Sequence, residues 1–172
     1  SVIAIGNEAY NRLHTRHGSV NTVLAWGHAR AIENLLERGV LLNPPPVRAI
    51  SDQFASSKST VEKALMTLGK GLQLVQRHRA EEDLAVAAAS IVARNEYLVR
   101  MKQLEKEYAT PLPRGASASV EEAAKLLAAR HGPEILPKIS KMHFRTRYRV
   151  LGQVEPPANP WKKPAKPKGT GL

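Results

Sequence analysis

Glu81-Glu82-Asp83-Leu84-Ala85-Val86-Ala87-Ala88-Ala89-Ser90-Ile91-Val92-Ala93-Arg94 places three acids before eleven residues that are apolar apart from one hydroxyl and one guanidinium. A helix apolar on every face is a buried helix, and acids in front of it are favoured by its dipole. The pattern predicts a helix from Leu84 to Glu107, buried in its first half. From Asn95 to Tyr108 the charges return on one side, so the second half reaches the surface. Upstream, Leu72 to Val75 reads as a short strand leading into the basic link Gln76-Arg77-His78-Arg79. Val47 to Ser51 reads as another, started by Pro44-Pro45-Pro46 and closing on Asp52.

Between those strands Ser59-Thr60-Val61-Glu62 has the capping-box pattern and predicts a helix to Leu68, broken by Gly69 and Gly71. Further upstream Asn21 suits the N-cap of a helix from Thr22 to Arg38, with Gly39 following its end. Leu24, His28, Ala31, Ile32, Leu35 and Leu36 would share its inner face. Tyr10-Asn11-Arg12-Leu13 and the Gly18-Ser19 break precede it, and Val2 to Ile5 looks like a strand. Downstream, Pro111, Pro113 and Gly115 make a loop. A second capping box at Ser119-Val120-Glu121-Glu122 opens a helix that Gly132 ends, and Pro133 suits the first turn of another. Residues 1–150 are then one α/β domain whose helices cover a sheet. Residues 151–172 read as a basic, Pro-rich, disordered tail.

At 172 residues and 42% hydrophobic the chain has the size and apolar content for one core. Lys and Arg number 26 against 15 Asp and Glu, a formal charge of +11 that favours a polyanion, nucleic acid first. The absence of cysteine excludes a disulfide framework and a thiolate metal site and suits a reducing compartment, the cytoplasm. No apolar run reaches the about 18 residues that span a bilayer, so no membrane partner is expected. No nucleophile elbow is present, and Gly69-Lys70-Gly71 is too short for a phosphate loop.

Several residues invite a chemical reading beside a structural one. Asp52, at a strand end and ahead of a Ser-containing loop with Lys58, can hold a metal or open a turn. Glu81, Glu82 and Asp83 can compensate the helix dipole, yet a cation would also offset their mutual repulsion. Ser90 and Arg94, four apart on the helix, can present a phosphate-binding pair, or Ser90 can pack while Arg94 reaches solvent. His14 and His17 lack a third ligand nearby in sequence, and His28 suits a core histidine. Lys141, His143 and Arg145 can touch backbone phosphates or pack.

Five ordered blocks resemble bacterial ribonuclease HIII. They are Asn21 to Glu33, Asp52-Gln53-Phe54-Ala55, Arg79 to Arg94, Leu112 to Ser117, and Lys141-Met142-His143-Phe144. The resemblance implies a ribonuclease H-like mixed sheet flanked by helices and hydrolysis of the RNA strand of RNA/DNA hybrids with Mg²⁺ or Mn²⁺. Such sites use four acids, and by position Asp52 matches the third and Glu81 the fourth, with Glu82 in reserve. Two cations about 3.5–4 Å apart would activate water and stabilise the leaving 3′ oxygen. Ser90, Arg94, Lys58, Lys141, His143 and Arg145 would then contact nucleic acid. The family's Asp-Glu pair and the glycine-containing stretch after it have no counterpart among these residues. The resemblance therefore implies the carboxyl-terminal part of the catalytic domain, with the amino-terminal strands missing. Such a chain is expected to be inactive until that part is supplied in cis or as a second chain. The alternative is a non-catalytic, basic nucleic-acid-binding module on the same fold.

Overall fold

The structure, a computed structural model, describes residues 1–39 and 42–157. Its sheet among those residues consists of β1, Arg48–Asp52, and β2, Gln73–Arg77, running parallel. Ile50 lies beside Val75 and Asp52 beside Arg77. Parallel neighbours require a crossover. Here it contains α3, Ser59–Glu62, and a 3₁₀ turn at Gly69–Gly71.

The helix expected to run to Leu68 stops at Glu62. Ser59 lies inside its first turn, sharing its hydroxyl with Ser57 at 2.9 Å instead of capping. Beyond Glu62 the decisive group is Glu33, buried on α2, Val20–Leu36. Its Oε1 accepts from the Leu68 amide and its Oε2 from the Gly69 amide, each at 2.9 Å. Amides held this way cannot donate to carbonyls four residues back, so the chain turns into β2. The Leu68 amide draws the Glu33 carboxyl below its ordinary range; burial opposes this, and the Gly69 amide and the Arg30 charge reinforce it.

Helix α2 begins after Ser19, earlier than the Asn21 cap predicts, and ends before Gly39, which does not adopt the left-handed conformation of a C′ glycine. Its buried residues are Val23, Ala25, Ala29 and Glu33, while Leu24, Trp26, His28 and Leu35 are exposed. The expected apolar face is thus rotated, because small alanines permit close approach and the Glu33 clasp fixes the orientation.

The apolar run Val2 to Ile5 forms no strand; residues 1–6 pair with neither strand of the described sheet. A strand exists through its ladder, and an apolar pattern does not supply the neighbour. The chain instead enters α1, Asn7–His17, a helix that the sequence reading missed, closed by Gly18 in the left-handed region at φ 65°. Asn11 ties this helix to the far end of the chain. Its Nδ2 donates to the carbonyls of Pro137 and Ser140 at 3.0 and 2.9 Å, and its Oδ1 accepts from the Met142 amide at 2.8 Å.

The long helix has the predicted bounds: α4 spans Leu84–Glu107. Its expected burial is absent. None of its residues is buried, and Leu84, Ile91 and Val92 are 85%, 71% and 52% exposed. A two-stranded sheet is too narrow to cover an all-round apolar helix. After α4 come α5, Ala118–His131, α6, Leu136–Ile139, and α7, Thr146–Val150. Helix α5 starts after Ser117 and not at Ser119, and Pro133 opens a 3₁₀ turn ahead of α6. Leu127, Ile135 and Leu136 centre a helical core with Tyr108, Leu112 and Met142 around it. Of the expected tail, residues 151–157 are described, and Glu155 bridges Arg145 at 2.7 Å and Arg149 at 2.6 Å; residues 158–172 lie outside the described residues.

Removing the three Asn11 hydrogen bonds, each worth about 0.5–1.5 kcal/mol net, sets the expected cost of Asn11→Ala at about 2–3 kcal/mol, read as a lower urea midpoint. Glu33 makes a second prediction. A carboxyl held below its ordinary range contributes stability above that range and loses it as pH falls through the folded-state value. Between about pH 5 and about pH 3 the wild-type midpoint should therefore fall more steeply than that of Glu33→Gln, which should be the less stable protein at neutral pH.

Candidate active site

Asp52 ends β1 with its side chain exposed, and its Oδ1 accepts from the Ala80 amide at 3.3 Å. Ala80 opens a 3₁₀ turn, Ala80–Glu82, after β2. Adjacent Cα atoms are about 3.8 Å apart, so Glu81 leaves the chain one residue from the amide that holds Asp52. Asp52 at the end of β1 and the acidic turn that follows β2 are thus joined by one backbone hydrogen bond.

The three-acid run divides by role. Asp83 is the N-cap of α4, its carboxylate accepting from the Ala85 amide at 3.0 Å and standing 3.7 Å from the Arg77 guanidinium. Glu81 and Glu82 are exposed and have no ion pair or side-chain hydrogen bond among the described residues. The bland reading of a capping acid therefore applies to Asp83 and leaves the other two available. Around the site, the Gln53 amide donates to the Arg77 carbonyl at 3.1 Å, continuing the ladder past Asp52. His28 packs tilted against Phe54 with ring centroids 5.1 Å apart, and desolvation holds its imidazole below the usual histidine range while the Asp52 charge opposes that shift. By surface area it is exposed at one side, with the ring partly desolvated against Phe54, and so is not the core histidine expected from its place in α2.

Hard carboxylate oxygens suit Mg²⁺ or Mn²⁺, and Asp52 with Glu81, or Glu82, offers two such groups. Among the described residues no cluster of three or more His, Cys, Asp or Glu is placed to hold a metal. The donor chemistry fits a divalent cation, and the ligand number is that of a partial site.

The remaining candidates are spread over the fold. Ser90 and Arg94 are both exposed on α4, downstream of the acidic turn that precedes that helix. Lys58 precedes α3 with an exposed side chain, and its carbonyl accepts from the Gln76 side chain at 2.8 Å. Lys141 lies over the Tyr10 ring at 4.6 Å. His143 stacks with His14 at 4.5 Å and meets the Phe144 ring at a tilt at 4.1 Å. These two join α1 to the segment before α7. Arg145 is engaged by Glu155 and by the Pro156 carbonyl at 3.0 Å. The Ala80 amide, a backbone group, was not foreseen; no side-chain pattern announces it.

The ribonuclease HII family model matches residues 3–147. Ribonuclease HIII of Chlamydia pneumoniae is 44% identical over 148 residues, covering 84% of this chain and 47% of the relative. That of Chlamydia muridarum is 43% identical over 154 residues, covering 88% and 49%. Among solved structures, Bst-RNase HIII in complex with Mn²⁺ superposes with a TM-score of 0.77 at 28% identity, covering 87% of this chain and 49% of that one. The chain spans about half the length of the relatives it matches.

The division of the acids is testable through stability. Asp83→Ala should cost about 1 kcal/mol through loss of the N-cap, whereas Glu81→Gln and Glu82→Gln should stay within about 0.5 kcal/mol of wild type in urea unfolding.

Proposed function

The chain belongs to the ribonuclease HII family, with ribonucleases HIII as its relatives and a ribonuclease H-like fold, and we propose that it is the carboxyl-terminal part of a metal-dependent ribonuclease HIII catalytic domain. The parent enzyme hydrolyses the RNA strand of RNA/DNA hybrids in the cytoplasm. The observation that carries this reading is the hydrogen bond from the Ala80 amide to Asp52 Oδ1, made by the residue immediately before Glu81.

In this reading Asp52 and Glu81 hold the divalent metal, with Glu82 beside them as the alternative second ligand. Bound there, Mg²⁺ or Mn²⁺ supplies a more acidic water and stabilises charge on the leaving 3′ oxygen. The Ala80 amide orients Asp52, and the Asp83 cap keeps a third acid out of the ligand set. Ser90 and Arg94 on exposed α4 provide a hydroxyl and a guanidinium for phosphate oxygens, with Lys58, Lys141, His143 and Arg145 as outlying contacts. Lys58 is open for such a role, whereas Arg145 must first part from Glu155.

Two carboxylates are too few to fix two cations, and no Asp-Glu dipeptide occurs in the 172 residues. The resemblance assigns that pair to another segment, supplied in cis or as a second chain. The exposed apolar surface of α4 is consistent with such a segment packing on it, since side chains 85% and 71% exposed at Leu84 and Ile91 are ordinary core residues by type. By itself the 172-residue chain is inactive in this reading.

Mixed with a polypeptide carrying the missing part, the chain should nick the RNA strand of a labelled hybrid only with Mg²⁺ or Mn²⁺, and Asp52→Asn should lower the rate at least about a hundredfold. Ile91→Asp should leave the chain's own stability within about 0.5 kcal/mol and abolish reconstitution. Full nicking by complemented Asp52→Asn would remove that residue from the site. Binding without nicking, metal-independent and weakening steeply with salt, would instead favour the basic module, the reading that the charge of +11 supports.

A further inference from the structure

Two residues other than glycine have positive φ among the described residues, Arg79 at 54° and Ala109 at 46°. Ala109 follows the end of α4, where the Ala109 and Thr110 amides return to the carbonyls of Lys106 and Glu105 at 3.4 and 3.2 Å. That is the ordinary left-handed helix stop. Arg79 ends no helix. It stands between β2 and the Ala80–Glu82 turn, and an L side chain there costs about 1–2 kcal/mol against the extended or right-handed regions. Backbone held in a disfavoured region belongs where the surrounding structure needs it.

The need is visible in what Arg79 aims. The next amide, that of Ala80, is the group that donates to Asp52 Oδ1, and the Ala80 side chain is fully buried. The turn then closes on Arg79 itself, with the Glu82 amide donating to the Arg79 carbonyl at 3.2 Å and the Asp83 amide to the Ala80 carbonyl at 2.9 Å. One left-handed residue therefore sets the Asp52 orientation, the exit direction of Glu81 and the cap of α4 together. The Arg79 side chain is exposed and forms no ion pair or hydrogen bond among the described residues. Its backbone, not its charge, is what the fold uses.

We infer that Arg79 is a positioning residue: its left-handed backbone turns the Ala80 amide onto Asp52 and so aligns the two acids that receive the divalent cation. This rests on the metal-site reading above for its functional meaning, though not for its geometry.

The test uses the 172-residue chain with Mn²⁺ alone as the probe, in wild type, Arg79→Gly, Arg79→Asn and Arg79→Val. Glycine and asparagine adopt the left-handed region readily and valine does not. Ala80 amide hydrogen exchange should be as slow in the Gly and Asn variants as in wild type, and at least about tenfold faster in Arg79→Val. The Mn²⁺ concentration that half-broadens the amide resonances of residues 52 and 81 should follow the same order, rising about tenfold in Arg79→Val. Wild-type behaviour of Arg79→Val in both measurements overturns the inference. So does a Gly variant that behaves like Val, because the side chain would then be the acting group. If Mn²⁺ broadens neither residue in wild type, the metal-site reading fails, and the exchange rates, which need no metal, still decide whether Arg79 positions Ala80.

Discussion

The buried carboxylate of Glu33 fixes more of this molecule than any other single group. By taking the amides of Leu68 and Gly69 it ends the crossover after β1 and sets the residue at which β2 starts. The register follows, with Asp52 beside Arg77. A slip of one residue in a strand sends each side chain to the opposite face. It would also shift the Ala80 turn relative to Asp52. The hydrogen bond between Asp52 and the Ala80 turn thus depends, through backbone register, on a carboxylate whose own partners are the Leu68 and Gly69 amides.

A different constraint governs α4. Its bounds follow from local chemistry, an aspartate cap at one end and a left-handed stop at the other, and need no tertiary contact. Its composition does need one. Alanine-rich turns carrying Leu84, Ile91 and Val92 offer little to water, yet no residue of this helix is buried. Each side chain of that kind gains about 1.5–3 kcal/mol on full burial, a sum large beside the net stability of a small domain. The exposed half of α4 is therefore a strong driving force for association, and the candidate site at its amino-terminal end would share whatever order that association brings.

Local signals carried part of this structure. The α4 bounds, β1 to within a residue and the place of Asp52 at its end were readable because caps, β-propensity and charge act over a few residues. What failed needed a partner distant in sequence. Val2 to Ile5 had the composition of a strand and no neighbour to pair with among the described residues. Ser59 to Leu68 had helical pattern, but Glu33, 35 residues before Leu68, took the amide at its far end. The tie of α1 to the chain's far end runs through Asn11, whose partners lie between 126 and 131 residues away. The burial expected for α4 failed for the same reason, since a sequence can state that a helix must be covered without stating by what.

The acids show how structure sharpens a site that composition only outlines. Glu33 holds two amides, Glu105 accepts from the Leu112 amide at 3.0 Å, Glu121 and Glu155 grip Arg149, and Asp83 caps α4. Each of these carboxylates is committed to a backbone donor or a guanidinium. A cation would have to displace those partners before binding there. Among the described residues the Asp52 side chain holds only one long hydrogen bond and the Glu81 side chain none, so neither is committed to the scaffold. The acid nearest them in sequence, Asp83, is removed from competition by its own cap. Availability, more than proximity, is what distinguishes the candidate ligands from the acids that build the scaffold around them.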